Sequence, residues 1–129
     1  MHILPTRPIP VLHIHGTEDG WIPYEGDDGF HSVDETIEYW VGANQCQASE
    51  TSAIPDTDVN DDSTIEKTIY SDCLEGSSVV LYKVIGGGHT WPDMPKNLGL
   101  GAINRDINGG EEIWEFFEQY SLPDLLINT

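Results

Sequence analysis

At 129 residues the chain has the length of one domain. It carries 23 Asp and Glu against 5 Lys and Arg, a formal net charge of −18. That balance argues against a nucleic-acid partner, whose phosphates would be repelled, and against an anionic membrane surface. No apolar run approaches the roughly 18 residues of a membrane-spanning helix, and Met1-His2-Ile3-Leu4-Pro5 lacks the form of a signal peptide.

Ile9-Pro10-Val11-Leu12-His13-Ile14-His15 is short, apolar and rich in β-branched residues, which predicts a buried parallel strand ending at Gly16. A turn-rich stretch runs on to Gly29. Ser32-Val33-Asp34-Glu35 is a capping box, and Val33, Ile37, Trp40 and Val41 then recur at helical spacing. Gly42 and Asn44 are expected to end this helix. Gln47 to Asp62 is polar, acidic and irregular. Thr64 to Tyr70 has strand character after an Asp61-Asp62-Ser63 turn.

Val79 to Ile85 is the second strong strand, and it ends on Gly86-Gly87-Gly88. Pro92 to Asn104 reads as a loop. Asn108-Gly109-Gly110-Glu111 opens a second helix with a stripe of Ile113, Phe116, Phe117 and Tyr120, Trp114 at its flank, and Pro123 as its stop. The order is strand, helix, small hairpin, strand, helix. A right-handed crossover makes the two main strands parallel neighbours covered by helices. Both read as buried on two faces, so the sheet calls for completion by further sequence, another chain or a swapped element.

The chemistry gathers at two strand ends. His89 follows the second strong strand, where open α/β sheets place their sites, and Asp19 follows the first. A general base needs one ring nitrogen free and the other held by an acid, and this pair supplies both roles. Glu18 is the competing carboxylate. None of the serines stands in the Gly-x-Ser-x-Gly turn of a nucleophile elbow. His13 and His15 share a strand face and with Asp19 could be drawn as metal ligands, although His15 is better read as support for the loop after its strand. Asp56, Asp58, Asn60 and Asp62 hint at a calcium loop but lack its central glycine and its twelfth-position acid; an acidic turn is the plainer reading. Cys46 and Cys73 lack zinc spacing and read as a structural disulfide, or else as two unrelated buried thiols.

At these residues the chain resembles the C-terminal part of the secreted polyhydroxybutyrate depolymerase and feruloyl/acetylxylan esterase family. The resemblance rests on Arg7 to Asp19, Ile22 to Gly26, Ser32 to Trp40, Asn44-Gln45-Cys46, Tyr70 to Cys73 and Asp106-Ile107. It rests further on Ile113 to Phe117 and above all on Leu81 to Pro92 with its Gly-Gly-Gly-His-Thr-Trp-Pro text. It implies that residues 1–129 form a single partial domain of the α/β-hydrolase fold, its C-terminal portion. It implies a serine-type carboxylic ester hydrolase in which Asp19 is the triad acid and His89 the triad base. It further implies a Cys46–Cys73 disulfide, a cleft bordered by Trp21 and Trp91, no metal and no organic cofactor. The expected substrate is a polyester or a plant cell-wall ester, and the expected location is secreted or periplasmic. The expected partner is a second copy or an N-terminal half carrying the nucleophile. The alternative is a non-catalytic binding or assembly module built on the same fold.

Overall fold

The backbone of Val79 to Ile85 is the axis on which everything else is laid. In the computed structural model, which describes residues 7–95 and 98–120, this strand has neighbours on both sides. The elements are β1 (Val11–Gly16), α1 (Val33–Asn44), β2 (Ala48–Ala53), β3 (Thr64–Ser71), β4 (Val79–Ile85) and α2 (Gly109–Phe117). One mixed sheet has the order β1-β4-β3-β2. β1 runs parallel to β4, with His13 opposite Leu81 and His15 opposite Lys83. β3 runs antiparallel to β4, and β2 antiparallel to β3. The N-terminal run Met1 to Pro5 and the helix stop at Pro123 lie outside the described residues.

Period-two alternation splits β4 between two cores. Val79 and Leu81 face α1 and pack with Tyr24, Val33 and Ile37. Val80, Tyr82 and Val84 face the other way and pack with Ile65 and with Phe116 of α2. The result is a small mixed α/β domain with one helix on each face of the sheet. The expected burial on two faces holds for β4 but not for β1, whose side chains are only half-buried. β1 has a hydrogen-bonded neighbour on one side only among the described residues, which leaves its flank open.

The helix starts follow their sequence signals. Ser32 Oγ accepts the Glu35 N–H at 3.0 Å, and the Glu35 carboxylate accepts the Ser32 N–H at 3.0 Å. Asn108 Oδ1 accepts the Glu111 N–H at 3.0 Å. The end of α1 differs from expectation. Gly42 lies inside the helix, and Gln45, in the left-handed region at φ 52°, closes it. Asn44 is fully buried because its side chain imitates a strand: Oδ1 accepts the Ile9 N–H at 3.1 Å and Nδ2 donates to the Ile9 carbonyl at 2.7 Å. The stripe of α2 is narrower than expected, since Phe117 is half-exposed beside an exposed Trp114.

β2 is the element the sequence conceals. It falls inside the irregular stretch 47–62, and every one of its residues is exposed. An edge strand solvated on both faces has no apolar alternation to announce it. Its pairing rests on backbone bonds and on Thr51 and Thr68, whose hydroxyls meet at 2.8 Å across the ladder.

Cys46 and Cys73 form a disulfide that joins the second residue after α1 to the turn after β3, 27 residues apart. The thiol reading is thereby set aside. Closing a loop of this length stabilises by about 3.5 kcal/mol in the chain-entropy account. Replacing both cysteines by alanine is expected to lower unfolding free energy by about 2–4 kcal/mol. Urea denaturation checks this, and reductant should lower the stability of the native chain but not of the double variant.

Candidate active site

The site forms where the parallel β1–β4 ladder runs past the ends of its strands. The Thr17 N–H donates to the Val84 carbonyl at 2.9 Å, and the Glu18 N–H to the Gly87 carbonyl at 2.9 Å. In return the Gly86 N–H donates to Thr17 Oγ1 at 2.8 Å. These bonds lock the loop after β1 to the loop after β4. They require Gly16, because a Cβ there would lie inside contact distance of the Gly87 and Gly88 carbonyls. The histidine loop is closed from its other side as well. The Gly88 N–H donates to Ala102 and the His89 N–H to Leu100, at 3.1 and 2.8 Å.

Asp19 sits on this lock, with its side chain 5 % exposed. Its two oxygens have separate tasks. Oδ1 accepts the backbone N–H groups of Trp21 and Ile22 at 2.9 and 2.8 Å. Oδ2 accepts from His89 Nδ1 at 2.9 Å. Burial pushes the carboxyl pKa up, but the Ile22 N–H, the His89 ring and the Trp21 N–H together outweigh it and hold the group below the ordinary carboxylate value. An ionised carboxylate only accepts, so His89 Nδ1 carries the proton. Nε2 is the ring nitrogen that the carboxylate does not hold. The His89 side chain is 41 % exposed, which lets a reactant approach.

His15 stands behind the acid. Its Nε2 lies 2.7 Å from the Ile22 carbonyl and 3.4 Å from Asp19 Oδ2. It therefore supports the loop after its strand, as its position in the sequence suggests. His13 stacks on it with the rings 4° from parallel, its Nε2 3.3 Å from His15 Nδ1.

A cleft of about 410 Å³ opens at the pair, with Trp91, Ile14, Ile22, Met94 and Leu100 among its walls. Trp91 packs its indole on Gly109 at the start of α2. Trp21 is placed differently. Its backbone N–H serves Asp19, while its indole stands 67 % exposed and outside the cleft lining. None of the described serines lines this cleft. A second depression, beside α1, is lined by residues such as Tyr39, Trp40 and the exposed pair His31–Glu35, away from Asp19 and His89.

Residues that sequence reading passed over brace the histidine loop. Asn104 is buried and donates through Nδ2 to Ser63 Oγ and Asp106 Oδ2, while its carbonyl accepts the Asp93 N–H. Arg105 binds the Asp93 carboxylate at 3.1 Å and the Met94 carbonyl at 2.6 Å. The carboxylates of Asp56, Asp61 and Asp106 converge within 4.8 Å. Those of Asp61 and Asp106 already accept backbone N–H groups of Ser63, Arg105 and Asp58. Asp58 and Asp62 of the calcium-loop pattern do not join that cluster of carboxylates.

No protein-family model matches the chain. Among curated proteins it is similar to feruloyl esterase B of Piromyces equi, at 25% identity over 128 residues. The match takes in 92% of this chain but 19% of that protein's length. It supports a resemblance to esterases.

Two measurements check this geometry. Asp19→Ala leaves three N–H donors without their acceptor and is expected to destabilise by about 1–3 kcal/mol at neutral pH. The folded-state pKa is depressed, so the ionised group's contribution is full above the unfolded value near pH 4 and is lost as pH falls through the folded one. The gap between native and Asp19→Ala unfolding free energies should therefore narrow with acid. Gly16→Ala forces the two loops apart and is expected to cost about 1–3 kcal/mol. The His89 Nδ1 proton resonance, read by NMR, should move or broaden in that variant.

Proposed function

We propose that this chain supplies the acid and base of a serine-type carboxylic ester hydrolase, and that it is the C-terminal catalytic portion of an α/β-hydrolase domain. The observation that carries the reading is the 2.9 Å contact between His89 Nδ1 and a buried Asp19 whose other oxygen is fixed by backbone amides. The esterase likeness supports it. The serine comes from a segment outside this chain.

In this reading His89 Nε2 accepts the serine proton as the hydroxyl oxygen attacks the ester carbonyl. The tetrahedral intermediate collapses, and the same proton passes from Nε2 to the leaving alkoxide, which departs as the alcohol. Water then repeats the sequence on the acyl-serine: His89 takes its proton, the acyl–oxygen bond breaks, and the serine recovers its hydrogen. Asp19 stays ionised throughout and stabilises the imidazolium in the orientation that its own clamp sets. Hydroxycinnamoyl or acetyl esters of plant polysaccharide and polyhydroxyalkanoate esters are the proposed substrates. Trp91 is the wall against which an aryl or acyl group rests. The disulfide and the esterase likeness fit a secreted or periplasmic setting.

The second reading, an aryl-binding module without turnover, draws on the apolar walls Ile14, Ile22, Met94 and Leu100. One experiment separates the two. The chain is produced together with the coding sequence upstream of Met1, and hydrolysis of methyl ferulate and p-nitrophenyl acetate is followed. His89→Ala and Asp19→Asn are each expected to lower kcat by about 10⁴ with little change in KM. Turnover that survives both substitutions refutes the assignment. Ferulate binding with no turnover in any of the three proteins favours the module.

A further inference from the structure

The catalytic reading uses Asp19 and His89 and leaves His13 and His15 unexplained. The contacts of these two histidines dictate their proton positions. A carbonyl oxygen only accepts, so His15 Nε2, 2.7 Å from the Ile22 carbonyl, must carry its ring proton. In the neutral ring Nδ1 is then a lone pair. His13 Nε2, 3.3 Å away, must therefore be the donor. A single direction of donation runs from His13 to His15 to the Ile22 carbonyl. The Ile22 residue whose carbonyl is held this way is also the one whose N–H clamps Asp19 Oδ1.

We propose that His15, with its tautomer set by His13, is the positioning residue of the Asp19–His89 pair: it holds Ile22 by its carbonyl so that the Ile22 N–H keeps the carboxylate aimed at His89. This rests on the acid–base reading above for its functional meaning, although the geometry stands without it. Burial first, and the neighbouring His15 second, lower the His13 pKa. The groups facing His15 are Asp19 from the loop, Tyr24 from the following turn, edge-on at 5.8 Å, and Lys83, its register partner on β4. Lys83 directs its ammonium over the Tyr24 ring at 5.4 Å. His15 Nε2 also lies 3.4 Å from Asp19 Oδ2, so its N–H points between the carbonyl and the carboxylate and adds a weak restraint on the second oxygen.

The test uses the chain as it exists, labelled with ¹⁵N at histidine, at neutral pH and without substrate. The expected spectrum shows His15 and His13 as Nε2–H tautomers and His89 as Nδ1–H. A His15 ring protonated at Nδ1 alone overturns the proposal outright, with no variant needed. His15→Phe keeps an aromatic ring against Tyr24 and removes the donor, and exchange of the His89 Nδ1 proton with water should quicken about fivefold. His15→Gln restores both a donor for Ile22 and an acceptor for His13, and the exchange rate should return to within about twofold of the native value. An unchanged rate in folded His15→Phe, or no recovery in His15→Gln, overturns the positioning role; should His15→Phe not fold, the native tautomers and His15→Gln decide. Failure of the ester reading would show elsewhere, as turnover that survives His89→Ala, and would leave these proton positions untouched.

Discussion

The parallel pairing of β1 with β4 does more than build a sheet. Its hydrogen-bond ladder continues past both strand ends through Thr17, Val84, Glu18 and Gly87. Two loops that are far apart in sequence therefore leave the sheet already joined. Asp19 is two residues beyond the first bond of that continuation, and His89 is two residues beyond Gly87. Their 2.9 Å contact is thus inherited from backbone geometry rather than from a search by two free side chains. A loop that had to be ordered for the purpose would cost about 1–2 kcal/mol per residue in backbone entropy. Here that ordering comes with the sheet.

The carboxylate divides its work accordingly. One oxygen is consumed by two backbone amides, and the other is presented to an imidazole. The amide clamp fixes the direction of the free oxygen, as a second set of contacts does for metal ligands and triads alike. It also favours ionisation against the burial that opposes it. The outer brace is of the same kind. Asn104, Arg105, Asp61 and Asp106 are linked to one another, and Asn104 and Arg105 bond to Asp93 and Met94 in the loop that follows His89. Both members of the pair are consequently held from two sides.

Much of this was legible in the sequence, because the relevant signals are local. Apolar runs marked β1 and β4, and Ser32 with Glu35 marked the start of α1. The closeness of Asp19 to His89 followed from placing two parallel strands side by side. What stayed hidden depends on partners distant in sequence. β2 carries no apolar alternation, so only its pairing with β3 reveals it. Asn44 reads as a helix end and is in fact a clamp on Ile9, 35 residues away. Thr17 and Asn104 have no local signature at all. The family resemblance implies a place for Trp21 on the cleft, yet its backbone N–H turns inward to Asp19 and its indole stands in solvent.

The charge of the chain bears on the proposed chemistry. With 5 cations against 23 anions, few positive groups are available to attract an anionic substrate. Lys67 and Lys83 lie over the rings of Tyr82 and Tyr24, and Arg105 is bound to Asp93 and Met94. The positive charge of these three residues is spent on bracing the fold, and none of them lines the cleft at His89. A field of this sign leaves a neutral ester indifferent but repels a carboxylate. Ester hydrolysis converts the first into the second. In the proposed reaction, a surface that does nothing to hinder the neutral ester would help to expel the acid product, while the buried Asp19 would stabilise the imidazolium formed at His89.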